Sequence, residues 1–117
     1  MQSTSVIINN YNYGRFLGSA IESALTQSYP NVEVIVVDDG SSDDSRQVMA
    51  SFGKRIFPIY KTNGGQASAL NTGFANSSGD IIIFLDADDL LHPTLVERVV
   101  NAFHAEAQVH DGWRCGV

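Results

Sequence analysis

The stretch Ile81-Ile82-Ile83-Phe84-Leu85-Asp86-Ala87-Asp88-Asp89-Leu90 decides the fold. Five apolar residues run without a break, three of them β-branched, which reads as a strand buried on both faces. Three carboxylates then fall within four positions, where that strand leaves its sheet. In open α/β sheets ligands bind outside that edge.

Working back toward the N-terminus, the same alternation recurs. Ser77-Ser78-Gly79-Asp80 leads into the strand, and before it a helix is expected over about Gln66–Asn76 with Ala67, Leu70 and Phe74 inward. Ile56–Tyr60 is a weaker strand, and Pro58, which lacks an N–H, makes it an edge strand. Val48, Met49 and Phe52 mark one face of a helix ended by Gly53. Ser41 or Ser42 suits its N-cap, with Asp43 and Asp44 in the first turn, where the helix dipole favours negative charge. Val32–Val37 is a buried strand running into Asp38-Asp39-Gly40. Phe16, Leu17, Ala20, Ile21, Ala24 and Leu25 carry the period of an amphipathic helix, stopped by Tyr29-Pro30. Ser5–Ile8 opens a first strand that ends in Asn9-Asn10-Tyr11-Asn12. After the acidic stretch, Pro93 suits a helix start, and Leu95, Val96, Val99, Val100 and Phe103 mark a last helix. Strand–helix repeated four times implies an α/β fold, a parallel sheet with helices on both faces. Residues 107–117 follow no period and read as an irregular or truncated end, leaving one domain over 1–106.

A chain of 117 residues suffices for one domain with a core. No apolar run approaches a membrane span. The first residues carry no base, and Val6-Ile7-Ile8 is too short for a signal peptide, so a cytoplasmic setting is the default. The single cysteine, Cys115, allows no internal disulfide. A net charge of −6 argues against nucleic-acid partners. The same charge opposes a phosphorylated ligand: two like charges about 4 Å apart cost roughly 4 kcal/mol at an effective dielectric near 20. A divalent cation between them reverses the sign.

Four groups of residues can carry chemistry. Asp86-Ala87-Asp88-Asp89 offers the carboxylate oxygens that hard cations prefer; as plain structure these are solvated loop or capping aspartates before Pro93. Asp38-Asp39 ends another buried strand, and such carboxylates accept bonds from sugar hydroxyls or base N–H groups; otherwise they cap a helix. In Asn9-Asn10-Tyr11-Asn12, Tyr11 can stack on a base or simply cover the core edge, while the asparagines shape a turn. Asn63-Gly64-Gly65-Gln66 places glycines before a helix, where backbone N–H groups can approach a ligand. It is neither a P-loop nor a dinucleotide fingerprint, and a plain turn is the simpler reading. His92, near the acidic cluster, reads as surface or capping.

Taken together, these segments resemble glycosyltransferase family 2, inverting enzymes with a GT-A fold. The resemblance spans roughly residues 5–106. It rests on Ser5–Ile8 with Tyr11-Asn12, on Val36-Val37-Asp38-Asp39-Gly40-Ser41-Ser42-Asp43, on Asn63-Gly64-Gly65 with Ala69-Leu70-Asn71-Thr72-Gly73, and on Phe84-Leu85-Asp86-Ala87-Asp88-Asp89. The sequence departs from the family at Asn9, Asn10 and Leu70, where many members carry Pro, Thr or Ser, and Arg.

The resemblance implies a three-layer αβα, Rossmann-like GT-A fold with a mostly parallel sheet in the order 3-2-1-4. It places Asn10, Tyr11, Asp38, Asp39, Gln66, Asp86, Ala87 and Asp88 in a nucleotide-sugar site. Asp39 would contact the base, and Asp38 would be a lesser contact. Asp86 and Asp88 would serve Mg²⁺ or Mn²⁺. The donor would be a nucleoside-diphosphate sugar, UDP-linked, and the acceptor a saccharide or lipid-linked hydroxyl. The process would be polysaccharide biosynthesis. The full-length protein would sit at the inner face of the membrane, any membrane association residing in parts outside this chain. The family's general base lies well past the D-x-D, so it is expected beyond Val117, and the isolated chain is expected to bind donor without completing transfer. Two other readings stay open at this point. One is a binding-only nucleotide or partner domain. The other is a haloacid-dehalogenase-like phosphatase, which also uses D-x-D at a strand end but on its first strand, with Thr or Val where Leu90 stands here.

Overall fold

The computed structural model describes residues 2–109, with side chains to residue 105. Strands and helices alternate as β1 (Thr4–Asn10), α1 (Gly14–Leu25), β2 (Val32–Asp39), α2 (Ser45–Ala50), β3 (Phe57–Lys61), α3 (Gln66–Ala75), β4 (Ile81–Asp86) and α4 (Leu95–Val109). A 3-10 turn at Gly53–Arg55 separates α2 from β3. The sheet order is β3-β2-β1-β4 and every pair is parallel. The chain therefore steps outward from β1 to β3, then returns to lay β4 on the free side of β1. That reversal sets the switch point between β1 and β4, where the general rule for such sheets puts a ligand.

Period-two alternation sorts the strand residues onto two faces. Val6, Ile8, Val34 and Val36 share one core with Leu17, Ala20 and Ile21 of α1, Met49 of α2, and Val96 and Val100 of α4. Ile7, Ile35 and Val37 form a second core under Ala69 of α3. The result is the three-layer αβα architecture that the sequence implies.

Three expectations are corrected. First, α3 turns Ala69 and Gly73 to the sheet, whereas Ala67 and Phe74 are exposed and Leu70 is half-buried. The reason is the closeness of helix to sheet: a Cβ on Gly73 would lie 2.4 Å from Ile7 Cγ2 and 3.2 Å from Val37 Cγ2. Small residues, not large ones, make this contact. Gly73→Ala is accordingly expected to lower stability by about 1–2 kcal/mol in urea unfolding, an overpacking cost of about 1–3 kcal/mol less a helix-propensity gain of up to about 1 kcal/mol. Second, β4 is not buried on both faces. It is an edge of the sheet among the described residues, and Phe84 is 51 % exposed. A groove of about 510 Å³ runs along it, lined by Phe74, Ile82, Phe84, Val99 and Phe103 among others. Third, the last helix continues to Val109, three residues past the expected boundary at 106. Of the irregular end expected at 107–117, residues 110–117 lie outside the described residues.

At the opposite edge, β3 carries Pro58, as expected of an edge strand. No helix among the described residues is long and apolar enough to cross a membrane.

Candidate active site at the carboxyl edge of the sheet

The parallel register brings the polar strand ends side by side. Asn9 pairs with Asp86, Asn10 with Asp38, and Asp39 with Lys61. A cleft of about 490 Å³ opens above them, lined by Asn9, Asn10, Tyr11, Tyr13, Asp39, Asn63, Gly65, Gln66, Ala69, Asp86 and Asp88. Six of the eight residues assigned from the sequence thus meet in one place: Asn10, Tyr11, Asp39, Gln66, Asp86 and Asp88.

Asp38 and Ala87 do not. Asp38 is wholly buried. It accepts bonds from Asn10 Nδ2 (3.0 Å), Ser41 N (3.1 Å), Ser41 Oγ (2.6 Å) and Arg46 Nε (3.1 Å). A carboxylate has about four lone-pair positions; those of Asp38 are taken by scaffold donors and, unlike Asp39, Asp38 does not line the cleft. Ala87 is buried in the core of the α1 face. Its N–H donates to Asn9 O (3.2 Å), which pins the turn after β4 to β1.

The loop after β1 is locked to the loop after β2. Asn12 sits at φ 58°, a left-handed conformation that asparagine tolerates better than most residues. Its N–H donates to Ser41 Oγ (2.9 Å), and its Oδ1 accepts from Ser42 N (2.8 Å) and Asp43 N (3.2 Å). Asp43 in turn accepts from Gly14 N (2.9 Å) and Ser45 N (2.9 Å). The expected capping by Ser41 or Ser42 is therefore absent: α2 starts at Ser45 without a side-chain cap, because the buried Asp38 carboxylate engages Ser41 and Asn12 engages Ser42. Asp43 lies before the helix, not in its first turn. This lattice leaves Tyr11 and Tyr13 half exposed on the cleft rim.

Asp39 faces the other way along the strand. Its Oδ1 accepts from Lys61 Nζ (2.8 Å) and Gly64 N (2.9 Å), and its Oδ2 from Gly65 N (2.9 Å) and Asn63 Nδ2 (3.2 Å). Gly40 makes this packing possible: its φ is +79°, and a Cβ there would lie 2.6 Å from Asn63 N. Across the cleft, Asp86, Asp88 and Asp89 are exposed, and one carboxylate oxygen of each lies within 4.8 Å of the others. Gln66 Nε2 reaches Asp86 Oδ1 at 3.4 Å. An exposed, all-oxygen set of this size fits a hard divalent cation that keeps some of its waters. His92 is outside the set; Thr94 N donates to its Nδ1 (3.2 Å), a local capping contact. Of the four buried side-chain oxygens without a partner among the described residues, two, Asn9 Oδ1 and Asn10 Oδ1, belong to residues that line the cleft.

The sequence profile of Glycosyl transferase family 2 matches residues 5–115. The chain belongs to that family. An uncharacterized glycosyltransferase of Nostoc sp. is 46 % identical over 103 residues, covering 85 % of this chain and 32 % of the relative. S. aureus TarS 1–349, solved in complex with UDP, superposes with a TM-score of 0.78 at 26 % identity, covering 91 % of this chain and 33 % of that one. Glucosyl-3-phosphoglycerate synthase from Mycobacterium tuberculosis, solved with Mn²⁺, UDP and glucosyl-3-phosphoglycerate, gives 0.73 at 28 % identity, covering 87 % and 39 %. The chain thus spans about a third of the length of the Nostoc relative.

Within this family 2 cleft, Tyr13 is a lining residue that the sequence did not point to, and Ala69 is one that the sequence marked only as part of the family-like segment Ala69–Gly73. Tyr13 precedes the helix period and carries no motif. Ala69 belongs to the small-residue spacing with Gly73, which was readable as a close helix–sheet contact. Asn9, Asn63 and Gly65 lay within the polar segments singled out above.

Three carboxyls are held below their usual pKa. Burial works to raise each, and donated bonds outweigh it: at Asp39 from Lys61, Gly64 and Gly65; at Asp43 from Ser45 and Gly14; at Glu33, at the other end of the sheet, from Ser5 and Ser78. A folded-state pKa below the unfolded one adds stability above the ordinary carboxylate range, about 4. That stability is lost as pH falls through the folded values. The urea midpoint is expected to stay level from pH 7 to about 5.5 and to drop below about pH 4. A midpoint that rises on acidification would contradict these assignments.

Proposed function

We propose that this chain is the donor-binding part of an inverting glycosyltransferase that takes a UDP-linked sugar and serves its transfer to an acceptor hydroxyl. The observation that carries the reading is the convergence of Tyr11, Asp39 and the Asp86–Asp88–Asp89 carboxylates around one cleft at the switch point. The UDP and Mn²⁺ named for the M. tuberculosis synthase support it, as does the UDP of TarS.

Tyr11 offers an exposed ring for stacking on the base. Asn9 Oδ1 and Asn10 Oδ1 are the unfilled acceptors for ligand hydroxyl or N–H groups. Asp86 and Asp88, with Asp89 as a third oxygen donor, would hold the divalent cation. That ion supplies Lewis-acid stabilisation of negative charge on a diphosphate leaving group. The three carboxylates by themselves would repel a diphosphate, so nucleotide and metal bind together. The general base that takes the acceptor proton is assigned to polypeptide outside this chain. The saccharide or lipid-linked acceptor, and the polysaccharide-building role at the inner face of the membrane, belong to the same proposal.

Isothermal titration of the chain with UDP, with and without Mn²⁺, tests the reading. Binding that appears or strengthens with Mn²⁺ is expected, and so is the absence of sugar transfer by the chain alone. Failure to bind UDP under any metal condition would sink it.

A further inference from the structure

Lys61 has no part in the chemistry described above and does not line the cleft. It lies at the end of β3, an edge strand, where a lysine ordinarily guards the edge with its head in water. Here the side chain is only 18 % exposed. Its ammonium turns inward, donating to Asp39 Oδ1 (2.8 Å) and to Thr62 O (2.7 Å). The other ion pairs among the described residues, Arg46–Asp38 and Arg55–Glu22, each leave a cation more than half exposed. Lys61–Asp39 is the pair in which both members are withdrawn from water.

We propose that Lys61 is a positioning residue for nucleotide binding: by neutralising Asp39 from behind, it keeps that carboxylate in its cage of loop donors and so sets the wall of the cleft. The inference rests on the donor-site reading above. All four lone-pair positions of Asp39 are used, two by Lys61 and Asn63 side chains and two by the Gly64 and Gly65 amides. Asn63 and Gly65 are themselves cleft walls, and Gln66 and Ala69 follow in the first turns of α3. The carboxylate therefore ties the end of β2 to the loop that starts α3, and the cation decides whether it stays ionised there. Among the described residues no other cation offsets it. β1 and α3 present no charged residue at the cleft, Asp86 and Asp88 across it are acids, and Arg46 of α2 is engaged with Asp38. Removing the cation leaves a buried, uncompensated carboxylate, the costly half of a broken pair. That carboxylate then takes up a proton at a pH where the parent stays ionised. A protonated Asp39 accepts fewer bonds, and the loop loosens.

The test is titration of UDP in the presence of Mn²⁺ into the 117-residue chain and its K61M and K61R variants at pH 7.5 and 5.5. K61M is expected to bind about tenfold more weakly at pH 7.5, and the ratio to the parent should widen to about a hundredfold at pH 5.5, each tenfold step being one pKa unit of coupling. Titration of the nucleotide phosphates is common to both proteins and cancels in that ratio. K61R restores a cation and should keep the ratio within about threefold at both pH values, which corresponds to half a pKa unit or less. If K61M does not fold, the D39N/K61M pair carries the same test, because it leaves no buried charge: weaker binding than the parent, with no pH dependence of the ratio. Parent-like binding by K61M, a ratio indifferent to pH, or K61R behaving as K61M would overturn the role given to Lys61. Absence of UDP binding by the parent chain would instead bring down the donor-site reading, and this inference with it.

Discussion

Asp88→Ala is expected to abolish the Mn²⁺-dependent part of UDP binding, a loss on the order of a hundredfold, while leaving the urea midpoint unchanged. Even outer partners of a metal site cost 10–100-fold when removed, and Asp88 is proposed above as a direct ligand. Its side chain is exposed and makes no hydrogen bond among the described residues, so the fold does not depend on it. Exposed substitutions of that kind stay within about 0.5 kcal/mol. Without metal the expected change is small and of opposite sign, since one of three crowded negative charges is gone. The two arms of the titration must therefore diverge: weaker with Mn²⁺, equal or slightly tighter without it. If the variant keeps the full enhancement by Mn²⁺, the acidic turn after β4 is not the metal site, and the convergence at the cleft loses its electrostatic explanation.

Asp38→Ala is expected to do the reverse. It removes the acceptor shared by Asn10, Ser41 and Arg46 at a site with no access to water. Leaving the buried Asn10 and Ser41 donors unpaired costs about 1–3 kcal/mol each, while Arg46, 51 % exposed, is released to solvent; the loss stands against a total of about 5–15 kcal/mol for a domain. Urea unfolding should show the midpoint falling by a third or more. Asp38→Asn, which keeps one acceptor oxygen, should lose about 1–3 kcal/mol. Two adjacent aspartates thus separate cleanly, one measured by denaturation and the other, Asp39, by its grip on the cleft loop. An Asp38→Ala protein of normal stability with impaired UDP binding would restore Asp38 as a ligand contact.

That separation was available in the sequence, through alternation. Asp38 shares parity with Val34 and Val36, which face α1 and α2, while Asp39 shares it with Ile35 and Val37, which face α3. Asn9 and Asp86 fall on the α3 side by the same rule, following Ile7 and Ile82. The elements were readable because β-branched runs ending in polar residues leave little choice of element; the strand order, and with it the cleft's position, followed from the resemblance to family 2. Other features were not. An apolar run cannot say whether a neighbour covers both its faces, so Phe84 read as core. Apolar periodicity weighs large residues, so the contact made by Ala69 and Gly73 went to Phe74 and Leu70. Capping preference is local, and it could not anticipate that a buried carboxylate three residues earlier would engage Ser41 first.

The two margins of the sheet differ in kind. Along β3, proline withholds a donor and Lys61 is committed inward, so that side is sealed next to Asp39. Along β4, Ile81–Asp86 carries no proline and no lysine, and an apolar groove flanks it. Among the described residues, β4 is the margin less guarded against a further strand. Any strand added there, from the same polypeptide or another, arrives beside Asp86 and the carboxylate turn and away from Tyr11 and Asp39. On the proposed reading the architecture has a built-in polarity: the nucleoside would lie on the side of Tyr11 and Asp39, and the side of β4 is where new walls, and with them new acceptor preferences, would be attached without disturbing what holds the nucleotide.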